Sequence, residues 1–327
     1  MSIDFYRPVP FETHPVLIQK YIVPTPSINE LYSRVKKCIK LRVPGAIVYA
    51  MTRYGKTYAA RYVATSLRMD FPRIVTLTFS CHKKKTPSEA SFFSNLLRAV
   101  GHEKAESGMA YQKRIRLLNK LLELLVTSKQ NVLVVFADEA QKLQIEEYEW
   151  LRELHDDLET RGYRMITFLI GQPQLKNQKT ALKEARQTQI VGRFMIDDIE
   201  FHGVCSVEDA ASCLLGYDTA CYPTDSDWSF TRFFLPHAWA NGVRLAGQAQ
   251  SLWQQFEDAH AEGGFRTALE VPMTYFVRSV EIALTEIGQD GADFAFTPVL
   301  WKQAVADSRF SMAEEELLLN IEPDSEG

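Results

Sequence analysis

Short apolar segments alternate with helical patterns between residues 27 and 203, and this alternation constrains the fold more than any other feature of the chain. Between the segments, apolar residues recur at every third or fourth position, as in amphipathic helices. The segments are AIVYA (46–50), IVTLTFS (74–80), NVLVVFADEAQ (131–141), RMITFLIGQPQL (164–175, a strand followed by a turn) and MIDDIEFHG (195–203). The run NVLVVFA is typical of a strand buried on both faces. Strands separated by helices in this way predict an α/β fold, a parallel sheet flanked by helices.

The pattern changes after His202, where helical segments are separated by Gly, Pro and Asp clusters and no convincing strand is present. We therefore predict an α/β domain over 27–203 and a smaller all-helical domain over 204–310. Residues 1–26 contain five prolines and are interpreted as an extended strap on a domain surface, with a mobile terminus as the alternative. The acidic segment 311–327 is predicted to be a flexible tail.

Charge, hydropathy and cysteine content argue against several classes of function. The net charge of −4 means that any nucleic-acid binding must come from local basic patches. No apolar run reaches the roughly 20 residues of a membrane span and no signal peptide is recognisable, so we expect a cytoplasmic protein without membrane contacts. The cysteines lack CxxC spacing and histidine neighbours at ligand distance, which argues against a zinc site or disulfides and predicts reduced thiols. They are Cys38, Cys81, Cys205, Cys213 and Cys221.

The segment AMTRYGKT (50–57) ends like a phosphate-binding loop. The usual pattern is G-x-x-x-x-G-K-[ST], in which backbone N–H groups face phosphate oxygens at a helix start and the lysine reaches the β and γ phosphates. Gly55, Lys56 and Thr57 supply the second half of this pattern, and the Thr57 hydroxyl is placed to ligate magnesium. Ala50 stands in place of the first glycine, and its tolerance depends on the local φ angle. The motif follows a predicted strand and opens a predicted helix, as a nucleotide site requires.

An acidic pair, Asp138 and Glu139, follows the buried strand NVLVVFA. Carboxylates at the carboxyl edge of a parallel sheet point into the crevice where ligands bind. We predict that Asp138 holds Mg²⁺ and that Glu139 polarises a water for attack on the γ phosphate. The alternative is a solvated helix N-cap, for which aspartate is also suited.

These residues resemble those of AAA+ ATPases and, among them, transposition regulators of the TnsC and TniB type, including those of CRISPR-associated transposons. The resemblance rests on AMTRYGKT, VLVVFADEAQ and FLIGQPQL and covers about residues 30 to 250, with Ala50 as a departure. It implies an AAA+ P-loop NTPase core with a helical lid domain, ATP and Mg²⁺ as cofactors, and ATP hydrolysis. The implied nucleotide contacts are Arg53, Tyr54, Gly55, Lys56, Thr57, Tyr58 and Asp138.

The resemblance implies three further catalytic residues beside Glu139. Gln172 matches a sensor position between the two carboxylates and the γ phosphate, with a simple turn residue as the alternative. Arg193 falls where the family places the arginine finger that reaches a neighbouring subunit's nucleotide, with Arg186 as competitor. Arg244 matches a second sensor contributed by the lid, the alternative being an exposed arginine at a helix start. The strap segment 9–11 (Val9, Pro10, Phe11) is our candidate cover for the adenine.

A basic loop follows the second predicted strand. Three consecutive lysines are often only a solvated turn. The resemblance implies instead that this segment lines the channel of a ring or helical oligomer, where lysines of successive subunits follow the phosphates of double-stranded DNA. A second basic stretch, RVKKCIKLR (34–42), is interpreted as an exposed helix face. The predicted DNA-binding residues are Lys83, Lys84, Lys85 and Thr86.

The resemblance implies a function in transposition: ATP-dependent assembly on double-stranded DNA that links target-site selection to transposase recruitment. The implied partners are further copies of the chain, a TniQ-type target selector, often carried by an RNA-guided complex, and the transposase subunits TnsA and TnsB. The segment LLLNI in the acidic tail is a candidate docking peptide. The alternatives are a helicase loader or replication initiator on the same scaffold, and a nucleotide-gated scaffold that scarcely hydrolyses ATP. Glu139 favours hydrolysis, because a pure binding module has little need of an activating carboxylate.

Overall fold

A computed structural model describes residues 6–288 and 290–312, and these residues form two compact units. The α/β unit contains Ile28–Thr52 and Lys56–Phe201. The helical unit contains Arg53–Gly55 together with the described residues of Met1–Ser27 and His202–Gly327. Beyond Met312, the predicted acidic tail and its LLLNI segment lie outside the described residues.

The α/β unit is built on a sheet of five parallel strands. The strands are β1 (Gly45–Tyr49), β2 (Val75–Ser80), β3 (Val132–Asp138), β4 (Arg164–Gly171) and β5 (Asp197–Glu200). Their order is β2-β3-β4-β1-β5, and each adjacent pair is parallel. The predicted parallel sheet is confirmed. Because β1 and β3 are both neighbours of β4, the segments that follow them meet at the same edge of the sheet.

Seven helices pack around this sheet. They are α1 (Pro26–Leu41), α2 (Lys56–Asp70), α3 (Glu89–Ala99), α4 (Ala110–Ser128), α5 (Ile145–Thr160), α6 (Gln174–Glu184) and α7 (Thr188–Phe194). The central strands β3 and β4 are buried almost from end to end, because helices cover both of their faces. The turn predicted after β4 is present at residues 172–173, and it leads directly into α6, a helix that the sequence pattern does not predict.

The described part of the chain after His202 is helical, as predicted. Its helices are α8 (Val207–Thr219), α9 (Phe230–Phe234), α10 (Pro236–Ala240), α11 (Ala249–Glu262), α12 (Met273–Ile282) and α13 (Pro298–Ser308), and a π-helical turn, Ala283–Ile287, extends α12. Aromatic side chains fill the core, with Phe256 stacked on Phe276 and Phe296 stacked on Trp301. Among the described residues, no helix combines the length and apolar character needed to cross a membrane.

The N-terminal strap contributes to the core of the helical unit as well as to its surface. Val16 and Val23 are buried in that core. The His14 ring is fully buried and stacks on Phe233 with 4.2 Å between ring centroids. Burial lowers the pKa of His14 to about 4, so its imidazole is neutral at pH 7. Phe11, a predicted adenine contact, packs edge-on against Phe234.

Candidate nucleotide-binding site

The start of α2 and the end of β3 are joined by a hydrogen bond between side chains. The Thr57 hydroxyl donates to Oδ2 of Asp138 over 2.7 Å. The other carboxylate oxygen of Asp138 accepts from the backbone N–H of Glu139 over 2.9 Å. A threonine hydroxyl beside a carboxylate presents the hard oxygen ligands that Mg²⁺ prefers. Thr57 and Asp138, predicted separately from two motifs, therefore lie together and suit a magnesium ion.

Lys56 is the first residue of α2, and its side chain reaches back into the preceding loop. Its ammonium group donates to the carbonyl oxygens of Ala50 over 2.8 Å and Met51 over 2.6 Å, and the residue is buried. Burial lowers the pKa of Lys56 to about 8, while the carboxylates of Glu139 and Asp138 oppose the shift. The site therefore holds a desolvated cation next to two carboxylates, a suitable environment for a polyanionic ligand.

The loop accommodates alanine at its first position. Ala50 is buried and its N–H donates to the carbonyl of Gly171 over 3.2 Å, which extends the pairing of β1 with β4. Positive φ angles occur instead at Arg53 (69°) and Gly55 (93°). Because only a positive φ would demand glycine, the departure at Ala50 introduces no backbone strain. Gly55 does need its conformational freedom, and it is the glycine that the pattern retains.

Three residues of the loop, Arg53–Gly55, belong to the helical unit. The Arg53 guanidinium donates to the Tyr275 hydroxyl, and the Arg53 carbonyl accepts from the Thr274 N–H over 3.1 Å. Tyr54 is buried, whereas Tyr58, the last of the predicted loop contacts, is about half exposed.

Glu139 has an unusual backbone conformation and two side-chain partners. Its φ of 57° and ψ of 34° are left-handed, which is strained for a residue with a side chain and is frequent at functional sites. Its Oε2 atom accepts from Lys142 over 2.6 Å and from the Gln141 amide over 3.1 Å. The Gln141 amide oxygen accepts in turn from the backbone N–H of Gln172 over 3.2 Å. Gln141 thus connects the acidic pair with the predicted sensor position at the end of β4.

Gln141 and Lys142 are site residues that the sequence analysis did not identify. Lys142 lies three positions after Glu139, a spacing at which side chains on one helical turn meet, and this was the available signal. The role of Gln141 depends on its proximity to Gln172, 31 positions away, and no local pattern indicates it.

Arg193 is paired within its own unit. Its Nε donates to Oδ1 of Asp156 over 3.1 Å, and the same oxygen lies 2.9 Å from its terminal nitrogen. The Arg193 carbonyl oxygen lies so close to Gly45 that a Cβ there would come within 2.3 Å of it. Gly45 begins β1 and the phosphate loop follows its end, so Arg193 and the loop lie at opposite ends of that strand. The competitor Arg186 is exposed and has a φ of 58°.

Arg244 is held inside the helical unit. Its guanidinium lies 3.3 Å from the centroid of the Trp239 ring and donates to the carbonyls of Trp239 and Val243 over 2.9 and 2.7 Å. Stacking on tryptophan and two carbonyl acceptors fix its orientation. Its predicted role as a second sensor stays a prediction.

The basic loop contains lysines in two different environments. Lys84 lies 2.8 Å from Oε1 of the buried Glu147 and accepts, through its carbonyl, a hydrogen bond from Gln144 over 2.8 Å. Lys83, Lys85 and Thr86 are exposed. Lys84 neutralises a buried carboxylate, and only its neighbours present their side chains fully to solvent.

The expectation that no cysteine has a histidine at ligand distance is wrong for Cys205. His202 lies three positions before Cys205, and the ligand atoms of these two residues and Glu270 lie within 4.8 Å of one another. Burial and the Glu270 carboxylate raise the pKa of Cys205 to about 12, so the residue is a thiol at neutral pH. The H-x-x-C spacing was visible in the sequence, but Glu270 is distant along the chain. All five cysteines are free, as expected.

Comparison with known proteins agrees with this architecture. A protein-family model described as an AAA domain matches residues 45–178. The comparison with curated proteins gave no match. The ORC2 protein of Aeropyrum pernix, in ADPNP-ADP complexes, is similar with a TM-score of 0.57 and 13% identity over 90% of this chain and 71% of that chain.

Two other solved structures are less similar. The A. pernix ORC1 protein in complex with DNA has a TM-score of 0.43 and 14% identity over 93% of this chain and 86% of that chain. Cdc6p from Pyrobaculum aerophilum has a TM-score of 0.46 and 14% identity over 83% and 71%. The strand order, the family match and the likeness to ORC2 together show that the chain has the AAA+ P-loop fold.

Proposed function

We propose that the protein is a Mg²⁺-dependent ATPase of the AAA+ type. The observation that supports this most is the meeting of Thr57 and Asp138 over 2.7 Å beside the buried ammonium of Lys56. A bound Mg²⁺ would be held by Thr57 and Asp138 and would neutralise charge on the phosphates. Lys56, displaced from the Ala50 and Met51 carbonyls, would bind phosphate oxygens.

Glu139 is the proposed base that orients and polarises the attacking water. It follows Asp138 directly in the chain, and its left-handed backbone conformation is of the kind that recurs at functional sites. Lys142 and Gln141 both donate to Oε2 of Glu139. We therefore propose Oε1 as the oxygen that contacts the water. We propose that Gln172 senses the γ phosphate and is coupled to Glu139 through its hydrogen bond with Gln141.

The proposal is tested by phosphate release from wild type and Glu139→Gln, with and without duplex DNA. Removal of a general base usually costs about 10²- to 10⁴-fold in rate, so the variant should retain ATP binding and lose most turnover. Lys56→Ala is the control that should lose binding as well. Turnover that is unchanged in Glu139→Gln would contradict the catalytic assignment.

We further propose that the protein acts as an oligomer on double-stranded DNA. Arg193 lies at the end of β1 opposite to the phosphate loop, away from its own subunit's loop, and this supports a role toward a neighbouring subunit's nucleotide. Lys83 and Lys85 are exposed and would contact phosphates, one modest basic patch per subunit repeated through the assembly. Thr86 would add a hydroxyl donor to the same phosphates.

The proposed biological role is that of a TnsC-type regulator, which receives a target signal from a TniQ-type protein and recruits TnsA and TnsB. It is supported by the three motifs quoted above and by the phosphate loop and acidic pair that two of them contribute to the site. A helicase loader or replication initiator is the second candidate, because the ORC2 fold is shared and a fold alone does not fix function.

A binding experiment separates these two roles. The protein is assembled on duplex DNA with a slowly hydrolysed ATP analogue and is then offered TnsB, TniQ or a replicative helicase. A transposition regulator should retain TnsB and TniQ only in the presence of nucleotide, with Lys56→Ala as the negative control. Retention of the helicase alone would favour the initiator or loader.

A further inference from the structure

A histidine, a cysteine and a glutamate converge on the surface of the helical unit. They are His202, Cys205 and Glu270. Nδ1 of His202 lies 3.3 Å from Oε1 of Glu270, and the side chains of these two residues are 45% and 31% exposed. The cluster is therefore accessible to an ion from solvent.

The backbone fixes the positions of these three residues. Val204 and Val271 form an antiparallel bridge in which each N–H donates to the other's carbonyl, over 2.9 and 2.8 Å. One position along from this bridge, Cys205 lies opposite Glu270, where cross-strand side chains are close. The two segments approach so tightly that a Cβ at Gly203 would lie 2.3 Å from the Val271 carbonyl oxygen. A residue larger than glycine would push His202 and Glu270 apart.

Further contacts orient the Glu270 carboxylate and hold the backbone of Cys205. Oε1 of Glu270 accepts from the Gly203 N–H over 2.8 Å, which fixes the carboxylate facing His202. The N–H of Cys205 donates to the Asp209 carboxylate over 3.0 Å. Hydrogen bonds that orient ligands in this way are a regular feature of metal centres in proteins.

We propose that His202, Cys205 and Glu270 form a binding site for a borderline-soft divalent cation such as Zn²⁺. Imidazole, thiolate and carboxylate are the ligands that Zn²⁺ takes in proteins, and sites with three protein ligands leave the fourth position to water. Bond lengths of about 2.0–2.1 Å at tetrahedral angles place nitrogen and oxygen ligands about 3.3 Å apart, the separation found here between His202 and Glu270. A zinc–sulfur bond of about 2.3 Å would place the Cys205 sulfur about 3.6 Å from them, with its thiol proton released, and the three ligand atoms already lie within 4.8 Å of one another.

A second group of possible ligands is less suitable. His155, Asp156 and Glu159 also lie within ligand distance of one another on α5. The Arg193 guanidinium already pairs with Asp156, so a divalent cation there would meet an existing positive charge.

The consequence of cation binding is a cross-link within the helical unit. His202 and Cys205 precede α8, whereas Glu270 precedes α12, the helix whose residues Thr274 and Tyr275 contact Arg53. The ion would add a cross-link to the backbone pair of Val204 and Val271 and the Gly203–Glu270 hydrogen bond, which join the two segments in its absence. It would stabilise the unit by mass action, because the unfolded chain does not present the three ligands together.

The test is a titration of the reduced 327-residue chain with Co²⁺, which takes Zn²⁺ sites and reports thiolate ligation through a charge-transfer absorption band. We expect one equivalent to bind with this band and to be displaced by Zn²⁺. Cys205→Ser should remove the band, whereas the control Cys221→Ser should retain it. His202→Ala and Glu270→Gln should each weaken binding by about 100-fold or more, because even the loss of an outer hydrogen bond to a ligand costs about 10- to 100-fold.

Two further measurements make the result unambiguous. His237→Ala, which breaks a histidine–carboxylate pair with Asp290 that is separate from the cluster, should leave Co²⁺ binding unchanged. Zn²⁺ should raise the thermal unfolding temperature of wild type and not of Cys205→Ser. Absence of a thiolate band in wild type, or its persistence in Cys205→Ser, would overturn the proposal.

Discussion

The folded protein disfavours the charged form of Lys56. Its ammonium is buried and bonded to two backbone carbonyls, and its pKa is lowered to about 8 from 10.5. Triphosphate oxygens favour the charged form, so ATP binding should raise this pKa again. Above pH 8, the protein must therefore take up a proton in order to bind ATP.

This linkage predicts that affinity for a non-hydrolysable ATP analogue falls with increasing pH. Little change is expected up to about pH 7.5, followed by a loss approaching tenfold per pH unit above about pH 8. Calorimetry in two buffers of different ionisation enthalpy would measure the accompanying proton uptake. Affinity and proton uptake that are both flat from about pH 7 to about pH 9 would show that Lys56 does not change its protonation on binding.

The three lysines in the loop between β2 and α3 should have different roles, with Lys84 structural and Lys83 and Lys85 binding DNA. Lys84→Ala leaves the buried Glu147 without its cation and should destabilise the protein by about 1–3 kcal/mol. Lys83→Ala with Lys85→Ala should preserve stability and reduce the slope of log affinity for duplex DNA against log salt by up to about 2. Chemical denaturation and binding titrations at several salt concentrations would measure the two effects.

The matched control for this loop is Lys84→Ala combined with Glu147→Gln. Removing both charges should restore part of the stability lost in Lys84→Ala, because the cost comes from an uncompensated buried carboxylate. If the slope of log affinity against log salt does not change in the Lys83 and Lys85 variant, these lysines do not contact DNA and belong to an ordinary solvated turn.

The elements that sequence predicted are those with a strong internal pattern. Strands β3 and β4 are continuous apolar runs, and the helix α4 has a long apolar stripe, so each is recognisable without its neighbours. Helix α6 was not predicted because only Leu175 and Leu182 are buried along it, too few to give a period. Its helical state depends on packing in the folded protein rather than on its own pattern.

The same distinction applies to the sites. Thr57 and Asp138 lie in local motifs, and parallel sheet topology requires the motifs to meet, so their proximity was predictable. The link from Gln141 to Gln172 and the approach of Glu270 to His202 join residues far apart in the chain. Such contacts follow from register and loop path, which no local pattern specifies.

Two variants that are each inactive alone should recover ATPase activity when they assemble together. Glu139→Gln keeps Arg193 but lacks the proposed base, and Arg193→Ala keeps the base but lacks the proposed finger. If the arginine acts on a neighbour, as its place at the far end of β1 suggests, an Arg193→Ala site next to a Glu139→Gln subunit is complete. Random mixing in equal amounts should then reactivate about a quarter of the sites.

Phosphate release by the premixed variants on duplex DNA would measure this recovery. The control replaces the Glu139→Gln subunit with the double variant Glu139→Gln, Arg193→Ala, which assembles the same mixture without any arginine to donate and should remain inactive. Arg186→Ala in place of Arg193→Ala tests the competing residue by the same design. A mixture no more active than its two components would mean that Arg193 serves its own subunit or none, and its pairing with Asp156 would then be structural.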